Sequence, residues 1–305
     1  MPPRIIYGAG CQGISLFRQL EDDFEPPVIH CFVDSDPEKQ GGSINGVPVY
    51  APDYLKTRIP GTYRVLVAVG SHYGQIRKYL ENLGWEEHNH FEDASPRPMT
   101  YGEMNPDFIP LMNEVRRYSL LSRQRLEMLY QWAKNAHAVR GDIAEVGVYK
   151  GGTALLMASV LQGTGKELHL FDTFSGMPHT TYDIDLHRPG DFSDTATEEV
   201  ARLLSVFAGV RLYPGIFPDT VPKGWETKVF SCVHVDVDIF SSARDCCRFF
   251  YPRMSQGGIM IFDDYGFPSC PGIRQAVDEY FDTVHDKPVY LPTGQALVIK
   301  LAAQF

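Results

Sequence analysis

Short apolar runs alternate with stretches of helical spacing along most of the chain. Between residues 4 and 85 the apolar runs are RIIYGAG, VIHCFVDSD and RVLVAVG, and the helical patterns are GISLFRQLEDD and HYGQIRKYLENLG. From residue 142 onward the apolar runs are DIAEVGV, ELHLFD, VRLYPG, VFSCVHVDV and GGIMIFDD. Strands that alternate with helices are typical of a parallel sheet with crossover helices. The pattern therefore predicts two α/β blocks.

Three segments depart from this alternation. Residues 92–110, EDASPRPMTYGEMNPDFIP, are rich in proline and polar residues, which is typical of a linker. Within residues 116–138 the apolar positions fall three or four apart, which predicts a long helix. The C-terminal KPVYLPTGQALVIKL contains two strand-like runs around a proline and a glycine, as in an antiparallel hairpin. We expect a Rossmann-like α/β domain at 1–95, a linker at 96–115 and a larger domain at 116–305.

Composition narrows the class of protein. The chain has 305 residues, of which 44% are hydrophobic and 22% charged, as in a globular protein. The net charge of −10 argues against nucleic acid or an anionic membrane as the main partner. No apolar run approaches the roughly 20 residues of a membrane span, and the N-terminus lacks a signal-peptide core. None of the six cysteines forms a C-x-x-C pair, which indicates reduced thiols and a cytoplasmic protein.

A glycine-rich turn in the second block predicts a nucleoside site. AEVGVYKGGTALLMASVL reads as a strand, a turn containing Gly147, Gly151 and Gly152, and a helix that starts near Thr153. Such a turn brings free backbone N–H groups close to a ligand. A turn kept only for packing is the alternative.

Asp172 strengthens this interpretation. It ends the next strand, 25 residues after Gly147, where a carboxylate can accept hydrogen bonds from both ribose hydroxyls. Phe174 could flank an adenine ring. Alternatively, Asp172 is an ordinary loop acid and Phe174 a core residue. Turn and acid together favour an adenosine-type cofactor.

Four carboxylates end two successive strands, VHVDVDIF and GGIMIFDDY. They are Asp236, Asp238, Asp263 and Asp264. The carboxyl ends of parallel strands meet at one edge of a sheet, and buried like charges need compensation. A hard divalent cation such as Mg²⁺ prefers oxygen ligands and keeps positions open for substrate. The alternative is that one or two of these acids, or Ser241, cap the following helices.

From about Leu126 to Tyr280 the sequence resembles the macrocin O-methyltransferase family, the metal-dependent sugar O-methyltransferases of macrolide and aminocoumarin biosynthesis. The matching segments, in family order, are GDIAEVGVYKGGTA, LFDTFSGMP, YPGIFPDTVP, VHVDVDIF, YPRMSQGGIMIFDDY and AVDEYF. The resemblance implies a class I methyltransferase fold, with a mixed seven-stranded sheet closed by a C-terminal hairpin, that binds S-adenosylmethionine. It also makes a homo-oligomer plausible.

The resemblance also implies roles for individual residues. Mg²⁺ would be held by Asp236, Asp263 and Asp264, and Asp236 would also be catalytic. Asp238 matches the family position proposed as the general base. Phe240 stands where the family usually has Tyr, which puts local substrate contacts in doubt. The expected cofactor-binding residues are Glu145, Gly147, Gly151, Thr153, Asp172, Thr173, Phe174 and Gly215.

The polar stretch at 179–197, HTTYDIDLHRPGDFSDTAT, follows the predicted ribose-binding strand. Its position suits a lid over the acceptor. His179 and His187 are alternative bases, although solvated loop histidines are the favoured interpretation.

The first block carries its own glycine motif. Gly8, Gly10 and Gly13 form G-x-G-x-x-G between a strand and a helix, and Asp34 ends the following strand. With FVDSDPEKQGGSINGVPVYAPDYL, this block resembles the N-terminal nucleotide-sugar-binding domain of bacterial sugar acetyltransferases. The alternative is a fold that keeps its glycines for turn and packing. An NAD-dependent oxidoreductase is less favoured, because no Tyr-x-x-x-Lys or comparable set accompanies the motif.

The leading hypothesis is therefore Mg²⁺-dependent methyl transfer from S-adenosylmethionine to a sugar hydroxyl. The sugar would belong to a natural-product glycoside, a glycan precursor or a nucleotide-linked sugar. The alternatives are a non-catalytic nucleotide-sugar-binding protein and an O-methyltransferase for a catechol-like diol.

Overall fold

The computed structural model describes residues 2–21, 26–95, 101–106 and 108–301. The chain divides into two compact units, Met1–Met99 and Thr100–Phe305. Each unit contains its own sheet, of six strands in the first and seven in the second.

Among its described residues, the first unit forms a six-stranded sheet with two α-helices. The strands are β1 Arg4–Tyr7, β2 Ile29–Val33, β3 Ser43–Ile44, β4 Val47–Tyr50, β5 Arg64–Val67 and β6 Phe91–Asp93. Their order is β3-β4-β2-β1-β5-β6, and neighbouring strands are parallel except β3 and β4. The sequence did not predict the β3–β4 pair or β6. The helices are α1 Cys11–Glu21 and α2 Tyr73–Asn82.

The second unit alternates strands and helices after three initial helices. The helices are α3 Tyr101–Met104, α4 Phe108–Val115, α5 Arg123–Asn135, α6 Gly152–Leu161, α7 Thr197–Leu203, α8 Phe240–Phe250 and α9 Pro271–Asp282. The strands are β7 Asp142–Val146, β8 Leu168–Asp172, β9 Val210–Pro214, β10 Phe230–Val235, β11 Met254–Phe262, β12 Val289–Tyr290 and β13 Ala296–Ile299. Short 3₁₀ helices occupy Pro52–Thr57, Gly70–His72, Ala136–Ala138, Trp225–Thr227 and Tyr251–Arg253.

The strand order of the second unit creates the place where a ligand can bind. The order is β12-β13-β11-β10-β7-β8-β9, with β7 to β11 parallel and the β12–β13 hairpin antiparallel. The chain runs outward from β7 in one direction through β8 and β9, and in the other through β10 and β11. Ligands of open α/β sheets bind in the crevice outside the carboxyl ends at such a reversal. The expected mixed seven-stranded fold with its C-terminal hairpin is confirmed.

Residues 96–100 and 107 of the expected linker at 96–115 lie outside the described residues, and the last part of the linker, Phe108–Val115, is helix α4. Phe108, Met112 and Val115 lie on one side of α4 and are buried in the same apolar cluster as Leu126 and Leu156. They repeat at intervals of four and three, which is the spacing of a buried helical face. Pro106 and Pro110, near the first turn, hide this spacing, because proline is tolerated at a helix start but reads as a breaker in a sequence.

Candidate active site

A pocket of about 240 Å³ lies at the carboxyl ends of the central strands of the second unit. The residues that follow β7, β8, β9 and β10 contribute to its walls, together with the 118–121 segment that precedes α5. The predicted site residues that line it are Gly147, Thr153, Asp172, Thr173, Gly215, Asp236, Asp238 and Asp264.

The glycine turn allows two strand ends to meet. Gly147 has a φ of +86°, and a Cβ there would overlap the carbonyl oxygen of Asp236. Gly151 is the N-cap of α6 at a φ of +85°. At Gly152 a Cβ would lie 2.7 Å from the Ser119 nitrogen. These glycines are therefore required by contacts within the protein, whichever ligand the turn also binds.

Asp172 holds the glycine turn in place. Its Oδ2 accepts hydrogen bonds from the backbone N–H groups of Val148, at 2.6 Å, and Tyr149, at 2.9 Å. Its Oδ1 accepts one from Phe174 N at 2.7 Å. The carboxylate still lines the pocket, and its remaining lone pairs suit ribose hydroxyls. Phe174 itself is buried in an apolar cluster, and Phe171 and Phe217 line the pocket instead.

Three carboxylates also line the pocket: Asp236, Asp238 and Asp264. Burial raises the pKa of Asp236 well above its usual range, and the charges of Asp264 and Asp238 raise it further. Burial, followed by the charge of Asp264, raises the pKa of Asp238 to about 7. These carboxylates are therefore held close together against their mutual repulsion.

Backbone strain is concentrated around the same pocket. Of the non-glycine residues with positive φ, those around the site are Tyr149, Phe174, Phe192 and Asp238, at +49° to +60°. Such conformations cost about 1–3 kcal/mol each and cluster at functional sites.

Arg125 of α5 is a residue that the sequence analysis missed. Its guanidinium contacts the carboxylate of Asp263 and lies 2.9 Å from Asp264 Oδ1. Asp263, a predicted metal ligand, is fully buried behind the pocket wall. The apolar spacing of α5 gives no sign of this role, because arginine at a polar helical position normally faces solvent.

A second buried group extends behind the carboxylates. His234 Nδ1 lies 2.8 Å from Glu145 Oε1, and its Nε2 lies 3.5 Å from Asp263 Oδ1. Gln295 Nε2 donates to the same Asp263 oxygen at 2.7 Å. Glu145 is fully buried and lies outside the pocket lining, so the structure places it beside the carboxylate cluster rather than at the expected cofactor site. The sequence alone indicated no role for His234. One of its ring nitrogens lies within 4.8 Å of a carboxylate oxygen of Asp236 and of one of Asp263.

Two carboxylates of the loop at 173–196 bind residues elsewhere in the unit. Asp185 accepts hydrogen bonds from Phe240 N of α8 at 2.8 Å and from Thr181 N at 2.7 Å. Asp194 lies 2.9 Å from the Tyr149 hydroxyl and 2.6 Å from Lys150 Nζ. His179 is exposed, as expected. His187 is partly buried: its side chain is 21% exposed, and its Nε2 lies 3.9 Å from Asp238 Oδ1.

The glycine motif of the first unit is built like the glycine turn of the second: a close backbone contact requires one glycine, and a carboxylate binds the turn. A Cβ at Gly13 would overlap the Gly8 carbonyl oxygen, and Asp34 Oδ2 accepts a hydrogen bond from Ala9 N at 2.6 Å. Gly10 is different, because a Cβ there would have nothing within 4 Å. Packing therefore explains Gly13 but not Gly10.

Comparison with known proteins identifies the second unit. The family model described as Macrocin-O-methyltransferase (TylF) matches residues 108–288. Demethyldecarbamoylnovobiocin O-methyltransferase of Streptomyces niveus is 30% identical over 67% of this chain and 82% of its own length. Mycinamicin III 3''-O-methyltransferase of Micromonospora griseorubida is 30% identical over 54% of this chain and 70% of its own. A tetracenomycin-C 4'-O-methyltransferase from Streptomyces olivaceus, whose name specifies a dimethoxy-rhamnosyl substrate, is 30% identical over 53% and 67%.

Solved structures agree. The O-methyltransferase NovP has a TM-score of 0.54 at 28% identity, over 61% of this chain and 83% of its own. The calicheamicin methyltransferase CalS11, at 20% identity and a TM-score of 0.50, covers 67% of this chain and 94% of its own and shows the shared fold. Among the described residues, every helix is too short or too polar to cross a membrane. The chain belongs to the macrocin O-methyltransferase family and is an S-adenosylmethionine-dependent O-methyltransferase.

Proposed function

We propose that this enzyme transfers the methyl group of S-adenosylmethionine to a hydroxyl group of a sugar, in a reaction that requires Mg²⁺. One observation carries the proposal. A single pocket joins the glycine turn and Asp172 on one side to the carboxylates of Asp236, Asp238 and Asp264 on the other. A nucleoside held at the first side has its reactive end directed toward the second, where an acceptor hydroxyl can be activated.

The names of the relatives support a sugar as acceptor. The tetracenomycin relative is named for methylation at a 4' position of a compound with a rhamnosyl group. The mycinamicin relative is named for methylation at a 3'' position. By this proposal the acceptor is a small molecule that contains a sugar: a natural-product glycoside, a glycan precursor or a nucleotide-linked sugar.

The carboxylate cluster fits a hard divalent cation. Asp264 Oδ2 is buried and has no hydrogen-bond partner among the described residues. Arg125 supplies one positive charge to a cluster of four acids. Burial and the charges of Asp264 and Asp238 raise the pKa of Asp236, and a bound cation would stabilise its ionised form. Mg²⁺ prefers such oxygen ligands, so Asp236, Asp263 and Asp264 are the residues that would hold it.

The chain's own residues then have distinct tasks. Asp172 and the Gly147 turn bind and orient the nucleoside, and Asp238 accepts the proton of the acceptor hydroxyl as its oxygen attacks the methyl carbon. The loop at 173–196 covers the pocket side and excludes water. When bound, Mg²⁺ supplies Lewis-acid stabilisation of the developing negative charge on the acceptor oxygen.

Calorimetric titration with S-adenosylhomocysteine, in Mg²⁺ and in EDTA, tests the nucleoside and metal assignments separately. We expect one-to-one binding of the nucleoside in both conditions for the wild type, Asp263→Asn and the exposed control Asp183→Asn. Methyl transfer to a panel of sugar acceptors should be lost in EDTA and in Asp263→Asn, but not in Asp183→Asn. Unchanged turnover in EDTA would refute the metal assignment, and absence of nucleoside binding would refute the cofactor site.

We also propose that the first unit binds a nucleotide-linked sugar at its glycine turn. The supporting observation is Gly10, which stands at the start of α1 and has free space where a side chain would be. A glycine that packing does not require suits a backbone that a ligand approaches closely.

A further inference from the structure

Three different donor atoms converge where the loop at 173–196 meets the start of α9. They are His187 Nε2, Asp238 Oδ1 and Cys270 Sγ. The sulfur lies 3.4 Å from Asp238 Oδ1 and 3.7 Å from His187 Nε2, and the nitrogen and oxygen are 3.9 Å apart. A nitrogen, an oxygen and a sulfur therefore form a nearly equilateral triangle.

The size of this triangle matches a face of a tetrahedral metal site. With metal–sulfur bonds near 2.3 Å and metal–nitrogen or metal–oxygen bonds near 2.0–2.2 Å, the edges of such a face are about 3.3–3.6 Å. The two separations that involve the sulfur lie within about 0.2 Å of such edges, and the nitrogen–oxygen separation of 3.9 Å would have to contract by about 0.5 Å. Mixed imidazole, carboxylate and thiolate donors favour a softer ion such as Zn²⁺ over Mg²⁺.

The outer contacts of His187 match those of a metal-binding histidine. Its Nδ1 lies 3.3 Å from Asp191 Oδ2, which also accepts a hydrogen bond from Arg188 N at 2.9 Å. A carboxylate on Nδ1 fixes the tautomer that leaves the Nε2 lone pair free for a metal. The ring also packs against Phe192, with centroids 5.4 Å apart. The imidazole is therefore oriented before any ion binds.

Asp238 places one corner of this triangle on the pocket wall. The side chains of His187 and Asp238 are 21% and 20% exposed. Cys270 would bind an ion as the thiolate, so the thiol proton is released on binding.

We propose that His187, Asp238 and Cys270 form a binding site for a soft divalent cation such as Zn²⁺, separate from the Mg²⁺ ligands. An ion there joins the loop to α9 and engages the carboxylate of Asp238. If Asp238 is the general base, which rests on the proposed function, occupancy inhibits methyl transfer.

Cobalt titration of the full chain, in saturating Mg²⁺, tests the site by a spectroscopic signal that does not depend on activity. We expect a thiolate-to-cobalt charge-transfer band and the visible bands of tetrahedral Co²⁺, both removed by stoichiometric Zn²⁺. Cys270→Ser should lose the thiolate band, while Cys11→Ser, which changes an exposed cysteine of the first unit, should keep it. Asp191→Asn should weaken binding roughly 10–100-fold.

The outcomes separate this proposal from the Mg²⁺ proposal. Asp263→Asn should keep the thiolate band even though methyl transfer is lost. Absence of the band in the wild type, or its persistence in Cys270→Ser, overturns the soft-cation site and leaves the methyl-transfer proposal intact. Retention of the band with no inhibition of turnover by Zn²⁺ would support the site and remove Asp238 as the general base.

Discussion

Gly147 shows how one residue specifies the site. Its turn brings the end of β7 against the backbone of Asp236, so the nucleoside side and the carboxylate side of the pocket share one point of contact. The requirement for glycine has two parts: a positive φ of 86°, and the absence of space for a Cβ.

These two parts can be separated experimentally. Gly147→Ala should lower the free energy of unfolding by more than the roughly 1–3 kcal/mol that positive φ alone costs, because the methyl group overlaps a backbone oxygen. Gly163→Ala is the matched control, since Gly163 has a φ of +77° and nothing within 4 Å of an added Cβ. Calorimetric unfolding of both variants measures the difference. Equal losses would mean that the β7–β10 contact relaxes freely.

Arg125 compensates the negative charge of two buried carboxylates, a role that the sequence alone does not reveal. It lies 11% exposed between Asp263 and Asp264. Removal of one partner from a buried ion pair costs about 3–5 kcal/mol, because the other charge stays buried and unpaired.

Arg125→Met should therefore destabilise the protein strongly without Mg²⁺ and recover part of the loss when Mg²⁺ is added. The control is Arg123→Met on the same helix. Arg123 pairs with Glu127 while 42% exposed, and such pairs contribute about 0–1 kcal/mol. Unfolding temperatures with Mg²⁺ and with EDTA provide the measurement. If both variants gain equally from Mg²⁺, Arg125 and the ion do not serve the same carboxylates.

At the scale of elements, Asp185 links the loop at 173–196 to the start of α8. This buried carboxylate accepts the N–H group of Phe240 at the start of α8, so it also satisfies a helix terminus that lacks a cap from its own N-cap residue. Gly272 of α9 packs against the same start of α8, since a Cβ at Gly272 would lie 2.8 Å from Phe240 N.

Asp185→Ala should free the loop while the sheet and the nucleoside site keep their structure. We expect faster hydrogen exchange in residues 179–192, a higher KM for the acceptor and nearly unchanged affinity for S-adenosylhomocysteine. Asp183→Ala removes an exposed carboxylate two residues away and should change none of these. Unaltered exchange in Asp185→Ala would show that the other contacts of the loop, among them those of Asp194 and Thr195, are sufficient to hold it.

The elements that the sequence predicted well are those with strong periodicity. The apolar runs of β7, β8, β10 and β11 and the C-terminal hairpin all occur, because buried strands and tight turns have local signals. The long helix predicted at 116–138 begins only at Arg123, where Ser122 Oγ accepts a hydrogen bond from Arg125 N. Contacts such as Arg125 with Asp263 join residues more than one hundred positions apart, so no local pattern reveals them.

At the scale of the whole molecule, the same device occurs in both units. In each, a carboxylate that follows the second strand of the fold accepts a backbone N–H group of the glycine turn: Asp172 in the second unit and Asp34 in the first. The family assignment covers residues 108–288 and therefore explains the second unit. The function of the first unit depends on whether its turn also binds a ligand.

Gly10→Leu tests that question. If a nucleotide-linked sugar binds at this turn, the wild type should bind UDP- or dTDP-hexoses in calorimetry, and Gly10→Leu should lose this binding because the side chain fills the free space. Gly74→Leu is the control, since Gly74 lies in α2 of the same unit and also has nothing within 4 Å of an added Cβ. All three proteins should bind S-adenosylhomocysteine equally, which shows that the second unit is intact. Equal sugar-nucleotide binding by Gly10→Leu would place that ligand elsewhere, and absence of binding by the wild type would assign the glycine motif to turn and packing alone.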